Sequence, residues 1–313
     1  MRTPRRIGKI LIVRCWKAVP LCFVLCLMAA DGIAQELTPR FYWPAPVGTR
    51  VAIVGYQYSH GDVLMDPSLP IYGVDSRINT AYVGYMQTFG LWGRTTNLIF
   101  ELPYSKGITD GILGTEPADR NYSGFNDIGV TLAINLLGAP SMDVKDFEAL
   151  RNDPHPILGA SVQVKAPTGP YNPNRLINTG TNRWSAKFEL GSVIPLSSRV
   201  LLELEAGAWI FGDDPDFIQG KREQEGIIAA EVHLVYRFGS GSWASLDGNY
   251  FFGGRQTIAG EQLSELQRNS RIGCTAVVPF GRRHAIKIGY SSGVATKFGN
   301  DFNQFLLSYQ VLL

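Results

Sequence analysis

Strict alternation of apolar and polar residues over 157–194 constrains this chain more than any other feature. Even-numbered positions from Leu158 to Ala166 are apolar, and the residues between them are small or polar. The pattern returns after a polar loop, from Trp184 to Leu190. Successive side chains of a strand point to opposite faces, so each segment predicts a strand with one apolar face. A soluble sandwich must cover that face with a second sheet, whereas lipid covers it in a membrane barrel.

The same alternation recurs along the chain and predicts about twelve strands. Even-numbered residues take the apolar face from the third strand to the eleventh, and the last strand places Phe305, Leu307 and Tyr309 there. The facing of the second strand, near residues 77–88, is uncertain. An even number of strands with short turns on one side predicts an all-β, closed antiparallel transmembrane β-barrel with short periplasmic turns and long extracellular loops.

Two connections are expected to differ from simple turns. Residues 105–125 are rich in Gly, Asp and Asn and predict a long extracellular loop. Residues 138–156 form a periplasmic connection that is longer than its neighbours. Val144, Phe147 and Leu150 recur there at helical spacing, which predicts a short helix with Ser141 as its N-cap.

The first 34 residues predict a secretory signal peptide. Six basic residues precede a short apolar run at 19–30, which falls below the ~20 residues of a membrane-spanning helix. Residues 35–48 lack alternation and predict a periplasmic lead-in, which could also fold into the lumen. Residues 49–313 then form the transmembrane barrel in the bacterial outer membrane, in contact with its lipid. The C-terminal strand resembles the signal that the outer-membrane assembly machinery recognises, which makes that machinery an expected partner.

Removal of the leader changes the charge of the chain. The mature chain has 23 basic and 26 acidic residues, so it offers no basic character for nucleic acid. Cys274 is its single cysteine and falls on the apolar face of its strand. One cysteine and four scattered histidines predict no metal site, and no motif indicates a cofactor.

Several motifs resemble the outer-membrane family named for the meta-pathway of phenol degradation. The segment Lys165–Tyr171 (KAPTGPY) is similar to its Pro-Thr-Gly-x-Tyr signature, and Asn178–Trp184 (NTGTNRW) is similar to its Gly-x-Asn-Arg-Trp segment. Pro103-Tyr104 and Ser123–Ile128 resemble weaker blocks, with Asn126 where Gly is more usual. The resemblance implies an outer-membrane transporter barrel, of a family often encoded beside aromatic-degradation pathways.

Charged side chains on the polar faces are the candidate lining of the lumen. The acids are Glu101, Asp127, Glu189, Glu203, Glu205, Glu231 and Asp247, and the bases are Lys165, Arg183, Lys187, Arg237, Arg255, Arg271 and Lys287. Their signs balance, so they do not form a single-sign selectivity ring. They either line a polar path or neutralise one another in a lumen too narrow for solute. Twelve strands fall between a filled barrel of eight and an open one of sixteen, so strand number leaves both alternatives.

Three aromatic residues, Trp209, Phe211 and Phe251, point inward near the loop ends of their strands. They could stack against an aromatic solute or fill a constriction. The favoured function is therefore a channel for passive passage of small apolar or aromatic solutes. A general diffusion porin is the first alternative, and a structural barrel or a lipid hydrolase is the second. Ser59 and His60 are neighbours and would point to opposite faces, so no catalytic site is predicted.

Overall fold

The computed structural model describes residues 37–64, 74–113, 116–218, 220–239, 241–264, 266–296 and 301–313. The predicted signal peptide lies outside these residues. The elements are β1 Arg50–Asp62, β2 Asp75–Leu91, β3 Arg94–Leu113, β4 Glu116–Phe125, β5 Ile128–Leu137, α1 Val144–Asn152, β6 Ile157–Ala166, β7 Ser185–Pro195, β8 Val200–Phe211, β9 Arg222–Gln224, β10 Ile227–Arg237, β11 Trp243–Gly253, β12 Gln256–Ile258, β13 Glu261–Gln262, β14 Gln267–Phe280, β15 His284–Thr296 and β16 Asp301–Leu312.

The wall is a closed antiparallel barrel in which β1 pairs with both β2 and β16. Strands β4 and β5 share one position in the wall, because β3 pairs with β5 through its first part and with β4 through its second. Counting that pair once, the wall has twelve strand positions, which confirms the predicted fold. The short strands β9, β12 and β13 form a separate small sheet in the connections at the extracellular end.

The predicted facing of the wall strands is confirmed. On β3, β5, β8, β10 and β11 the burial pattern alternates, with most even-numbered residues more exposed than their odd-numbered neighbours. Cys274 is exposed on the same outer surface. On β2 the parity is reversed, since Val83 is exposed while Ile78, Tyr82 and Met86 are buried toward the lumen. Large apolar side chains on the outer surface include Val54, Leu246 and Ile272, which are 58–65% exposed, as expected for a surface that lipid covers.

The loop predicted at 105–125 is wrong. Strand β3 continues to Leu113 and β4 returns from Glu116, so the chain forms a hairpin. Inward hydroxyl groups join it to β2, with Ser105 Oγ 2.8 Å from Thr80 Oγ1 and Thr109 Oγ1 2.7 Å from Ser76 Oγ. A strand that rises above the membrane can carry polar residues on both faces, so its composition is like that of a loop.

Helix α1 forms at the periplasmic end, as predicted, but its N-cap differs. Asp143 caps it, with Oδ1 accepting a hydrogen bond from Asp146 N at 2.9 Å. Ser141 instead donates to the carbonyl of Arg94 at 3.1 Å. Phe147 and Leu150 are buried in a cluster with the lumen-facing residues of the periplasmic end. Among the residues described here, no helix is both long enough and apolar enough to cross a membrane.

Candidate functional site

Residues 38–46, called the plug below, lie inside the barrel. The Tyr42 ring lies against Gly159 of β6 and Gly191 of β7. A Cβ built on Gly159 would lie 2.2 Å from the ring, and one built on Gly191 would lie 2.0 Å from it. Its hydroxyl donates to Glu189 Oε1 at 3.1 Å and lies 3.0 Å from Ser161 Oγ. Burial raises the pKa of the Tyr42 phenol far above its ordinary value, and the charges of Glu189 and Glu205 add to the effect. Tyr42 therefore remains a neutral donor.

Wall residues hold the backbone of the plug from several sides. Arg40 N donates to Glu203 Oε2 at 2.5 Å, and Thr38 N donates to Glu231 Oε2 at 3.3 Å. The amide of Asn135 donates to the carbonyl of Tyr42 at 3.2 Å. The sequence left two locations open for this segment, the periplasm and the lumen. In the structure, residues 38–46 lie in the lumen. The carboxylates that line the lumen next to the plug therefore bind a segment of the chain itself.

Opposite charges meet on the inner wall around Lys187. Its ammonium group makes an ion pair with Glu189 and lies 3.3 Å from Glu231 Oε1. Lys165 takes another position, 5.3 Å above the ring of Trp209. Sequence reasoning missed His233, whose Nδ1 lies 2.9 Å from Asp247 Oδ1 inside the wall. Odd-numbered residues of this strand face inward, so the residue number of His233 already indicated that its side chain lies inside the barrel.

Four other predicted lining residues have specific partners away from this cluster. Asp127 accepts hydrogen bonds from Gly169 N and from both Thr181 N and Oγ1 at 2.6–3.0 Å, and so holds the loop that carries the family-like motifs. Arg237 donates to the carbonyl of Arg151 at 2.6 Å, at the periplasmic end. The partners of the remaining two are Gln224 for Arg183, and Ser291 and the Phe302 carbonyl for Arg271.

The last three predicted charges separate into buried and peripheral ones. Glu101 and Lys287 face inward and are 5% and 0% exposed. Arg255 lies in the extracellular connections, with its guanidinium 4.0 Å from Glu225. Contacts with plug residues bring Glu189, Glu203, Glu205 and Glu231 close to the plug, and the sequence alone did not indicate that these four residues would lie together.

The three predicted aromatic residues come together on the inner wall near its extracellular end. Trp209 and Phe211 stack with ring centroids 6.3 Å apart, and Phe251 joins Trp209 in a cluster with Ile227 and Ala229. Two cations cover the rings: Lys165 lies over Trp209, and Arg183 lies 4.7 Å over Phe211. The buried Nε1 of Trp209 has no hydrogen-bond partner among the residues that the structure describes.

A cavity of about 410 Å³ opens at the extracellular end of the barrel. It lies between the β3–β4 hairpin and residues 170–179, and its lining includes Tyr122, Tyr171 and Ile177. Such a volume is within the range of small-molecule sites.

Ser59 and His60 point to opposite sides of β1, as expected. Ser59 is buried on the lumen side, whereas His60 is exposed and its Nε2 lies 3.6 Å from Asp75. The two side chains therefore do not meet as a nucleophile and its base.

An apolar outer surface, a closed wall and a polar interior define an outer-membrane β-barrel whose lumen holds an N-terminal plug. The chain belongs to the family described as "Putative MetA-pathway of phenol degradation", whose model matches residues 52–306. It is similar in structure to an outer membrane channel from Pseudomonas putida F1, with a TM-score of 0.74 and 23% identity over 89% of this chain and 100% of that one. The CymD monoaromatic hydrocarbon channel is more distant, with a TM-score of 0.46 and 6% identity over 86% and 89% of the two chains. No curated protein matches this chain.

Proposed function

We propose that this barrel is a channel for passive passage of small apolar or aromatic solutes across the outer membrane. The cluster of Trp209, Phe211 and Phe251 inside the wall is the observation that carries this proposal. It combines aromatic rings with the N–H donor of Trp209, which has no partner among the described residues, and a phenol that displaces the neighbouring side chains could use both. The printed description of the family, which names phenol degradation, supports the same class of solute.

The two cations over the rings leave room for exchange with a solute. A cation above an aromatic face contributes only ~0.5–1 kcal/mol at accessible sites. Stacking of an aromatic solute contributes a similar amount and also removes apolar surface from water. Because the Trp209 ring is buried, its contact with Lys165 is worth about 2 kcal/mol or more, and a solute that replaces Lys165 must supply that free energy by stacking and by burial of its own apolar surface.

The plug disfavours a general diffusion porin. Tyr42 and Trp43 are each 1% exposed, so they fill the lumen next to the periplasmic end. Hydrated solutes would need a wide aqueous path through this level. Passage of a solute therefore depends on movement of the plug. A small apolar molecule needs a smaller movement than a hydrated solute does.

Neither an enzymatic role nor a cofactor belongs to this proposal. The separation of Ser59 from His60 leaves that pair without the geometry of a lipid hydrolase. We also infer that the assembly machinery binds the C-terminal strand, where Phe305, Leu307 and Tyr309 share the outer surface of β16.

Uptake by liposomes tests the proposal. Vesicles containing the barrel should take up a labelled phenolic compound faster than a sugar of similar size. Trp209→Ala should lower phenolic uptake roughly 3- to 10-fold, because one stacking contact of ~0.5–1.5 kcal/mol is lost. Tyr250→Ala is the matched control, since Tyr250 is an aromatic residue on the outer surface of β11. Equal uptake of sugar and phenolic would favour the porin, and fatty-acid release in the same vesicles would favour the hydrolase.

A further inference from the structure

Three side chains of the inner wall converge next to the plug: Glu205, Glu231 and His233. One potential ligand atom of each lies within 4.8 Å of the other two. All three side chains are buried. Glu205 and Glu231 are direct cross-strand partners on β8 and β10, and His233 is the next inward residue along β10. We propose that they bind one divalent transition-metal ion of the Zn²⁺ class.

The orientation of His233 is the first argument. Asp247 Oδ1 lies 2.9 Å from its Nδ1, and Asp247 Oδ2 accepts a hydrogen bond from Thr275 Oγ1 at 2.8 Å. A carboxylate in this position makes Nδ1 a donor of the ring, and Nε2 then carries either the second proton of an imidazolium or a lone pair that can bind a metal ion. This is the way in which a carboxylate orients a histidine that binds a metal.

The surroundings of Nε2 are the second argument. This atom is fully buried and has no hydrogen-bond partner among the described residues. It faces Glu231 Oε2 at 3.6 Å, which is too long for a hydrogen bond. This contact is stabilised either by a proton on Nε2 or by a metal ion that lies between the two atoms. Two ligand atoms that bind one tetrahedral ion at about 2.1 Å lie roughly 3.4 Å apart, close to the observed spacing.

The balance of charge is the third argument. Five carboxylates, those of Glu189, Glu203, Glu205, Glu231 and Asp247, are buried in this part of the wall. Lys187 is shared between two of them, Glu189 and Glu231. Glu205 has no ion-pair partner among the described residues, and a buried carboxylate without one is costly, so a divalent ion between Glu205 and Glu231 would offset part of that cost.

The plug covers this site from the lumen. Thr38 Oγ1 lies 3.4 Å from both Glu205 Oε2 and Glu231 Oε2. Its hydroxyl oxygen is therefore placed to approach the ion as a fourth ligand. The ion would then connect the plug to the wall, in addition to the hydrogen bonds already described.

Metal analysis of the complete barrel tests the proposal. The folded protein in detergent is dialysed against micromolar Zn²⁺, and bound zinc is measured by mass spectrometry of the elements. One zinc per barrel is expected. Replacement by Co²⁺ should give ligand-field absorption bands of a four-coordinate ion with one imidazole ligand. Zinc at the level of the detergent blank would overturn the proposal, without the need for any variant.

Variants assign the ligands. Glu205→Gln and His233→Gln should each weaken zinc binding at least ~10-fold, whereas His155→Gln, which changes a histidine outside the cluster, should leave it unchanged. Heat-modifiable migration in gels shows whether each variant has assembled. If His233→Gln fails to assemble, Glu205→Gln still decides, because it keeps the size and hydrogen-bonding capacity of the side chain. Zinc binding that neither variant weakens would place the ion elsewhere and contradict the assignment.

Discussion

Substitution of Gly191 by alanine should release the plug. The new Cβ would lie 2.0 Å from the Tyr42 ring, whereas carbon atoms in favourable contact are ~3.5–4.0 Å apart. The ring would have to move by about 1.5 Å or more. A Cβ built on Gly159 would likewise lie 2.2 Å from the ring, so the ring is packed closely against the backbone of β6 as well and has little room to move that way. The Tyr42 side chain must therefore leave its position between the two strands.

The magnitude follows from what Tyr42 loses. A buried tyrosine removes about 150 Å² from water, which at ~25 cal/mol per Å² is worth about 4 kcal/mol. The hydrogen bond to Glu189 adds about 1 kcal/mol or more. A loss of ~4 kcal/mol changes the ratio of bound to released plug by about three orders of magnitude. The fraction of barrels with the plug released should rise accordingly, against the contacts of Arg40, Thr38 and Trp43 that remain.

Single-channel recording in planar bilayers measures this change, and conductance should rise in Gly191→Ala. The matched control is Gly129→Ala, another inward-facing glycine, where a Cβ would meet its nearest neighbour, Glu101 Oε2, at an ordinary 3.6 Å. Its conductance should equal that of the parent. An assembled Gly191→Ala barrel with the parent conductance would show that the Tyr42 contact does not hold the plug.

Three further changes test other parts of the structure. Asp127→Ala removes the acceptor for Gly169 and Thr181, so the loop at 167–184 should be cleaved faster by protease, with about 3 kcal/mol lost locally. Phe147→Ala should lower the stability of helix α1 by about 3 kcal/mol, and hydrogen exchange at 144–152 would report it. Cys274, exposed on the outer wall, should react in vesicles with a lipid-soluble maleimide and resist a charged one; equal reaction with both would contradict its lipid-facing position.

The wall could be predicted from the sequence because lipid and lumen impose opposite demands on alternate residues. From β3 to β15 the outward apolar face of the wall strands follows the even positions, except on β4, where Phe125 is exposed and Tyr122 is buried, and Cys274 was placed correctly by parity alone. The parity of β2 could not be predicted, since its inward residues Ile78, Tyr82 and Met86 are themselves apolar. They pack inside the barrel, where Tyr82 and Met86 join the cluster that includes Tyr42. A strand with apolar residues on both faces carries no alternation to interpret.

The plug and its binding site could not be predicted for a different reason. The lead-in has no periodicity, and it is ordered by contacts with residues more than 90 positions away. Gly159 and Gly191 are direct cross-strand partners, and together they form the space that Tyr42 fills. A pair of inward glycines in register is a signal for such a space. It becomes visible only once the register of β6 and β7 is known.

Position along the barrel axis gives the balanced charges different roles. Glu205 and Trp209 are four residues apart on β8, about 13 Å along the strand. The carboxylates lie on the plug side of this interval, whereas Lys165 and Arg183 lie over the aromatic rings on the other side. An anionic aromatic solute would be held at the rings by these cations and then repelled by the carboxylates beyond them. A neutral solute meets neither effect, so the same lumen should pass a phenol more readily than the corresponding aromatic acid.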